Sequence, residues 1–297
     1  MVRVKNLIKQ LRRFILTSIS LSLALALTIR FSPAQSRSQP EIDYQTIERS
    51  RYTVHVVIIP HNSNYLVSPQ IAGNLQDIAQ FAQESVVAGI NGGYFDPVNQ
   101  KTTSFIVQQS KVIADPRFND RLVDNPDLKP YLRKIFNRAE FRRYNCDSQT
   151  KYDIQLHFSP IPDNCTLIES LGGGPNLLPN NTSVAEGFIA YQEGEKIRDA
   201  IGSESRNARS AVAIMDNQDI MLVMVAQKPD QPLNSGISLP ELAEVLANLG
   251  AVKAMNLDGG SSASLYYGGQ AIYGRVDPEG NEIQRPIKSI LSVVEVG

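Results

Sequence analysis

Short runs of apolar and β-branched residues, each ended by Gly, Pro or Asn, recur along the chain. Such runs predict strands, because branched and aromatic side chains pack well on the pleated surface of a sheet. In this way we predict strands at residues 52–60, 86–90, 166–171, 251–257 and 287–296.

Two further pairs of short runs flank polar turns and therefore predict hairpins. The first hairpin covers residues 104–114 with its turn at 109–110. The second covers residues 210–226 with its turn at 216–218.

Helical spacing of apolar residues marks three other segments, at 74–85, 131–144 and 239–249. The last of these has Ser238 as a predicted N-cap and Gly250 just past its end. Segment 131–144 is rich in basic residues, which we interpret as a solvated helix face; the alternative is a positive rim that attracts an anionic substrate. Strands with few intervening helices predict an α+β fold with a mixed β-sheet core and flanking helices in a single domain.

The first 34 residues have the order of an export signal. Five basic residues precede an uncharged run at 14–29, and small residues follow at 32–34. The run is shorter than the ~20 residues that span a bilayer comfortably, so a cleaved signal peptide is preferred to an uncleaved membrane anchor. Both interpretations place the body outside the cytoplasm, secreted or periplasmic, with membrane contact only through an uncleaved leader.

The domain layout that follows is a signal peptide at 1–34, a polar linker at 35–50 and one domain at 51–297. Its motif-bearing part is 85–296, with an irregular insertion at 115–165. Without the six basic residues of the leader, the chain has 23 basic and 30 acidic residues. A net-negative body argues against nucleic-acid binding, which depends on clustered Lys and Arg.

The two cysteines, Cys146 and Cys165, agree with export. An oxidising compartment lets them pair, and we predict a disulfide in preference to two free thiols. The bridge would close a loop of about 20 residues, worth roughly 3 kcal/mol. Neither the cysteines nor the three histidines have zinc-ligand spacing, so no metal site is predicted from them.

Three glycine-rich loops each follow a predicted strand, at 90–97, 171–177 and 256–262. Glycine permits positive φ and lets a ligand approach backbone N–H groups closely. Short polar side chains stand beside the glycines, so the loops together suggest a binding site, although each alone could be a tight turn. Because each loop leaves a strand end, we expect the three to converge on one pocket.

A fourth stretch, Arg209-Ser210, enters a predicted strand. A guanidinium offers a fork of donors that matches phosphate, with a hydroxyl beside it. No loop carries a Walker lysine, a G-x-S-x-G elbow or the spacing of a dinucleotide fingerprint.

These motifs, in this order, resemble those of the phosphodiester glycosidase family. They are INGGYFD at 90–96, GGGPNLL at 172–178, RSAVA at 209–213 and NLDGGSSASL at 256–265, followed by Arg285-Pro286. Two departures are visible: Ala213 stands where the family usually has Gly, and Ser210 replaces a Thr with its hydroxyl preserved.

The resemblance implies an exported hydrolase that cleaves the glycosidic bond of a sugar-1-phosphodiester, in envelope or exopolysaccharide metabolism. In that reaction Arg209 would stabilise the departing phosphate, and Asp258 or Asp96 would activate water or stabilise the sugar cation. The candidate catalytic residues are thus Asp258, Arg209 and Asp96. The candidate substrate-binding residues are Asn91, Gly92, Gly93, Tyr94, Gly173, Gly174, Ser210, Gly259, Gly260, Ser261 and Ser262.

Two other functions stay open. The change at Ala213 fits a noncatalytic carbohydrate- or envelope-binding module that keeps the pocket. Alternatively, Asp96 and Asp258 could share a Ca²⁺ or Mg²⁺ ion in a phosphodiesterase that cuts the P–O bond. For the glycosidase itself we expect no cofactor, and the expected partner is a sugar phosphodiester or a phosphate-containing glycan.

Overall fold

A computed structural model of the chain describes residues 41–82 and 85–296. Strands dominate these residues and form four sheets in which every strand pairing is antiparallel. The predicted α+β fold with a mixed sheet and flanking helices is therefore wrong, and the fold is β-rich. Helices in this part of the chain are α1 (Asp120–Val123), α2 (Leu132–Ile135) and α3 (Leu239–Asn248), with 3₁₀ turns at Ile78–Phe81, Pro116–Phe118, Lys129–Tyr131 and Gly260–Ser262.

Sheet 1 has six strands, and its central strands are buried at almost every position. One face packs against α3 through Leu239, Leu242 and Leu246, while the other faces the main core. Because both faces are covered, these strands are apolar over the consecutive residues 211–215 and 220–226 instead of alternating. In spatial order they are β1 (Asp43–Glu48), β2 (Thr53–Ile59), β14 (Ile220–Ala226), β13 (Arg209–Met215), β15 (Ala251–Asn256) and β10 (Asn176–Leu178).

Sheets 2 and 3 have five strands each, and a small hairpin completes the fold. Sheet 2 contains β17 (Gln270–Tyr273), β16 (Ser264–Tyr267), β4 (Val86–Asn91), β18 (Ile287–Glu295) and β3 (Tyr65–Gln76). Sheet 3 contains β6 (Lys111–Ala114), β5 (Ile106–Gln108), β9 (Cys165–Gly172), β7 (Ala139–Cys146) and β8 (Gln149–Leu156). The hairpin is β11 (Ile189–Gln192) with β12 (Glu195–Asp199).

The main core lies where sheets 1, 2 and 3 meet. Leu222 comes from sheet 1, Leu291 from sheet 2 and Phe141 from sheet 3, and all three are buried in one apolar cluster. Strands β7 and β8 fall within the predicted insertion at 115–165, and their residues Phe141 and Ile154 belong to this core. The five predicted single strands and both hairpins are confirmed, as is the helix capped by Ser238.

Two predicted helices are wrong. Within the first of them, predicted at 74–85, residues 74–76 instead finish β3, which pairs with β18, and Ile78–Phe81 form a 3₁₀ turn. Residues 131–144 hold only the short α2 before β7 begins. The predicted solvated helix face is wrong because some of its charged residues are buried. Arg142 is 2% exposed and forms a salt bridge with Glu140 at 2.9 Å inside the sheet.

The N-terminal boundaries also change. Strand β1 falls within the predicted linker at 35–50, and it pairs along its whole length with β2. The predicted signal peptide at 1–34 lies outside the described residues. Within residues 41–82 and 85–296, none of the helices combines the length and apolar character that a membrane span needs.

The predicted disulfide is confirmed. Cys146 and Cys165 are direct cross-strand neighbours on β7 and β9, with their Cα atoms 4.1 Å apart and their sulfurs bonded. The bond therefore fixes the register of the two strands that carry the GGGPNLL loop and the middle of sheet 3.

Replacing Cys146 and Cys165 together by Ser is expected to lower the free energy of unfolding by about 3 kcal/mol, because the unfolded chain regains the entropy of the open loop. Chemical denaturation measures the change. A reducing agent should bring the natural chain to the value of the double variant. An unchanged unfolding free energy in the variant would contradict the stabilising role.

Candidate active site

Hydrogen bonds join three of the four sequence motifs at one point. Ser210 Oγ donates to Asn91 Oδ1 at 2.6 Å, and Asn91 Nδ2 donates to the backbone oxygen of Asp258 at 2.6 Å. The backbone N–H of Asp258 donates in turn to Gly92 O at 3.1 Å. Ser210 and Asn91 are fully buried, so their role is to hold the loop of Asp258 in place.

The remaining motif meets the same region through backbone contacts. Gly174 N–H donates to Asn256 O at 2.9 Å, and a Cβ at Gly173 would lie 2.9 Å from that same oxygen. A Cβ at Gly92 would lie 2.9 Å from the backbone of Ser289, and one at Gly93 would collide with Gly172 O. These four glycines therefore allow close packing of strand ends, and none of them lines the cavity described next.

A cavity of about 290 Å³ opens above this junction. Of the residues predicted for the site, Tyr94, Arg209, Asp258, Gly259, Gly260 and Ser261 line it. Gly260 has φ +60, and a Cβ there would lie 3.3 Å from Arg275 Nη1 inside the cavity. Two of the three loops, 90–97 and 256–262, thus line one cavity together with Arg209, whereas loop 171–177 packs behind them and contributes no residue to the wall. The cavity wall is completed by Ala200, Ile201, Asn207, Asn256, Arg275 and Arg285.

Asp258 is the carboxyl group of this cavity. Burial raises its pKa to about 6, while neighbouring Ser262, Arg285 and the Gly259 N–H act in the opposite direction. The Gly259 N–H donates to Asp258 Oδ1 at 3.0 Å. A carboxyl group that titrates near neutrality is suited to proton transfer at physiological pH.

Tyr94 and Asn256 form the polar wall beside Asp258. Asn256 Nδ2 donates to the Tyr94 hydroxyl at 2.7 Å, and that hydroxyl donates to Gly174 O at 2.8 Å. The phenol is therefore held in one orientation, and burial raises its pKa above the ordinary value, so it stays neutral.

Arg209 reaches the cavity, but most of its donors are already used. Its guanidinium donates to the backbone oxygens of Ile237, Ile201, Gly202 and Ser205 at 2.6–3.3 Å. Since an arginine has five N–H donors, these four bonds leave one for a ligand. The geometry fits a residue that holds the 201–205 loop against the cavity better than one that binds phosphate.

Arg275 and Arg285 were missed as site residues in the sequence analysis. Arg285 Nη1 donates to Ser261 Oγ at 3.0 Å, and Arg275 Nη1 donates to Asn207 Oδ1 at 3.4 Å. Across residues 41–82 and 85–296, neither arginine forms a salt bridge. Arg285 could have been found from the Arg285-Pro286 pair that follows the motifs, whereas Arg275 had no sequence signal.

Besides Asn91, Ser210 and the four glycines, two more predicted site residues are absent from the cavity wall. Asp96 is absent from the cavity wall, and its carboxylate accepts from Arg121 Nε at 2.8 Å and from Val98 N–H at 2.7 Å. Ser262 is 0% exposed, so its hydroxyl cannot contact a ligand in the cavity. This hydroxyl is beside the Asp258 carboxyl but makes no hydrogen bond of ordinary geometry in the described part of the chain.

The cavity wall thus carries three guanidinium groups around one carboxyl, an arrangement whose charge suits an anionic ligand. The sequence agrees with this kind of site, because residues 84–294 match the phosphodiester glycosidase family. The chain belongs to the phosphodiester glycosidase family, as its motifs predicted, and members of this family are hydrolases that act on phosphodiester glycosidic linkages.

Solved structures share the fold at low sequence identity. The catalytic domain of zebrafish N-acetylglucosamine-1-phosphodiester alpha-N-acetylglucosaminidase is 17% identical, with a TM-score of 0.60 over 89% of this chain and 86% of that one. A protein from Synechocystis is 17% identical, with a TM-score of 0.55 over 87% of this chain. This chain spans 64% of the Synechocystis protein.

A third structure, a protein from Burkholderia pseudomallei, is 16% identical, with a TM-score of 0.53 over 82% of this chain and 74% of that one. Among curated proteins, none matches the chain. At these identities the structural likeness establishes the fold alone.

Proposed function

We propose that the protein hydrolyses the glycosidic bond of a sugar-1-phosphodiester. One observation carries the proposal: a single cavity holds the Asp258 carboxyl, whose pKa is raised to about 6, together with Arg275 and Arg285, which have no acidic partner in the described residues. A sugar-1-phosphodiester presents a reacting carbon beside a negative charge, and this cavity offers a group for each.

In the proposed reaction, water adds to the anomeric carbon while the bond from that carbon to the phosphate oxygen breaks. The products are a free sugar and a phosphomonoester. Arg275 and Arg285 hold the negative charge that the departing phosphate gains, so a strong acid is not needed to protonate it. Asp258, as a carboxylate, accepts the proton of water or stabilises the positive charge on the sugar ring.

The argument for the noncatalytic alternative concerns a residue outside the cavity wall. It rested on Ala213, which is completely buried in β13 among the apolar residues that face α3. The departure at this position therefore changes the packing behind sheet 1, and it leaves the cavity wall as it is.

The metal-dependent alternative required Asp96 and Asp258 to share one ion. Asp96 is held by Arg121 and by its own turn, outside the cavity. These residues do not fit a shared ion, and we propose a reaction that proceeds without a metal. We also propose that the chain is exported and acts in envelope or exopolysaccharide metabolism, and the disulfide supports an oxidising compartment.

Incubation of the purified full chain with a panel of sugar-1-phosphodiesters tests the proposal. The expected result is release of a free sugar and a phosphomonoester, with label from ¹⁸O-water entering the sugar, and no loss of rate in a chelator. Affinity without product would support the binding module. Label in the phosphate, together with inhibition by the chelator, would support the phosphodiesterase.

Replacing Ser262 by Ala is expected to shift the acid limb of the pH profile upward. The Ser262 hydroxyl counteracts the effect of burial on Asp258, so its loss raises the pKa of Asp258 further above 6. Because the proposed active form is the carboxylate, kcat/KM should then reach half its plateau at a higher pH.

The measurement is kcat/KM against pH for both proteins. Ser292→Ala is the matched control, since Ser292 is equally buried but bonds Ser68 O on β3. An unshifted midpoint in Ser262→Ala, with plateau activity retained, would remove this hydroxyl from the control of Asp258.

A further inference from the structure

A second cavity, of about 330 Å³, has a wall that shares no residue with the first. Its wall combines the β3 residue Ile71, the 100–102 segment, the end of β6 with its following turn, and Lys288 of β18. The proposed reaction uses none of these residues.

Lys288 is the unusual member of this wall. The residue is 8% exposed, and its ammonium donates one hydrogen bond, to Gly73 O at 2.7 Å. An ammonium has three donors, and no other acceptor and no carboxylate engages it in the described residues. A buried charge without an ionic partner is costly, and burial accordingly lowers the pKa of Lys288. A bound anion would supply the missing partner.

The rest of the wall suits a saccharide that carries such an anion. The ring of Phe118 is 76% exposed at the cavity, which is the apolar face on which a sugar ring stacks. Thr102 and Gln100 add polar groups. The acidic group of the wall, Asp115, is already neutralised by Arg117, whose Nε lies 2.9 Å from Asp115 Oδ1.

The two cavities share two structural elements. The first shared element is the segment 94–103. Tyr94 lines the first cavity and Thr102 lines the second. Thr103 N–H donates to Tyr94 O at 2.9 Å, which holds the two ends of this segment together. Arg285 and Lys288 are three residues apart, so their Cα atoms are separated by at most about 11 Å. A ligand long enough to span this separation would bring one anionic group to each cavity.

We propose that the second cavity binds a phosphate or carboxylate group of a saccharide, with Lys288 as the anion contact and Phe118 as the stacking face. The substrate class is then a polyanionic glycan, in which the group beyond the cleaved phosphodiester carries a further negative charge. This inference rests on the proposed function in taking the ligand to be a saccharide.

Calorimetric titration of the full chain with glucose 6-phosphate tests the proposal without requiring turnover. We expect two sites in the natural chain. Arg285→Gln should keep the site in the second cavity, and Lys288→Met should keep the site in the first cavity. Affinity at the lost site should fall roughly ten-fold or more, as expected for a hydrogen bond to a charged group. Binding that Arg285→Gln abolishes and Lys288→Met leaves intact would overturn the proposal.

Phe118→Ala provides a second variant, since an exposed side chain can be truncated without disturbing the core. It should weaken glucose 6-phosphate at the second site about two- to ten-fold and leave inorganic phosphate unchanged. Glucose alone should not bind there. Equal affinity for inorganic phosphate and glucose 6-phosphate, with no effect of Phe118→Ala, would overturn the saccharide assignment. If the natural chain binds glucose 6-phosphate at the Lys288 site but turns over none of the sugar-1-phosphodiesters, only the proposed function is contradicted.

Discussion

Asp258→Asn is expected to reduce kcat/KM on every substrate by roughly 10²–10⁴-fold, the usual contribution of a general acid or base. The amide keeps the shape of the carboxyl and can still accept from the Gly259 N–H, so the loop should stay in place. What it loses is the charge and the basicity, which the reaction needs whatever group departs. Steady-state kinetics on a sugar-1-phosphodiester and on an activated aryl glycoside measure the loss.

Two comparisons separate catalysis from turn geometry. Asp277 also caps its own turn, by accepting from Glu279 N–H and Asn281 N–H, and it lies outside the cavity, so Asp277→Asn should behave like the natural chain. Asp96→Asn should keep most of the activity, because Asp96 is held by Arg121 away from the cavity. Near-normal turnover in Asp258→Asn would mean that Asp258 caps its own turn and has no role in catalysis.

Stability should move in the opposite direction to activity in Asp258→Asn. The folded pKa of Asp258, about 6, lies above its ordinary value, so the folded chain binds the proton more tightly than the unfolded chain. The natural chain therefore loses stability as pH rises from about 4 to 6, and the amide does not. Above pH 6 the variant should melt at a higher temperature than the natural chain, and below pH 4 the two should converge.

Arg285→Gln and Arg275→Gln are each expected to reduce kcat/KM on sugar-1-phosphodiesters by about 10²–10³-fold, the typical loss for one contact to developing charge. The loss should be much smaller on an aryl glycoside, which releases no phosphate. This difference between substrates is the signature of phosphate stabilisation and would not arise from a general loss of folding. Kinetics on both substrates, with melting temperatures, test it.

Arg121→Gln is the matched control, since Arg121 is exposed and pairs with Asp96 outside the cavity. Arg209→Gln should behave differently from Arg275→Gln and Arg285→Gln. It removes four hydrogen bonds to backbone oxygens, so it should lower the melting temperature and impair both substrates alike. If Arg209→Gln kept its stability and lost only phosphodiester activity, the phosphate contact would belong to Arg209.

The chain alone determined those features that depend on neighbouring residues. The runs that became β2, β13, β14 and β15 are apolar over consecutive positions, and Ser238 with Glu241 forms the capping box that begins α3. The cysteine count and the predicted export signal were enough to predict the disulfide. The ordered motifs also sufficed for the family and for Asp258 as a residue of the cavity.

Only the tertiary structure decided the contacts that join distant segments. Arg142 and Glu140 look like a solvated helix face in sequence, yet they neutralise each other inside sheet 3, so a strand forms there. Arg209 and Arg285 are equal as isolated guanidinium groups. Whether each can bind phosphate depends on which acceptors surround it. Backbone oxygens of the 201–205 loop and of Ile237 accept hydrogen bonds from Arg209. Arg285 donates to Ser261 Oγ and forms no salt bridge in the described residues. Local sequence cannot specify those acceptors, because the fold brings them together.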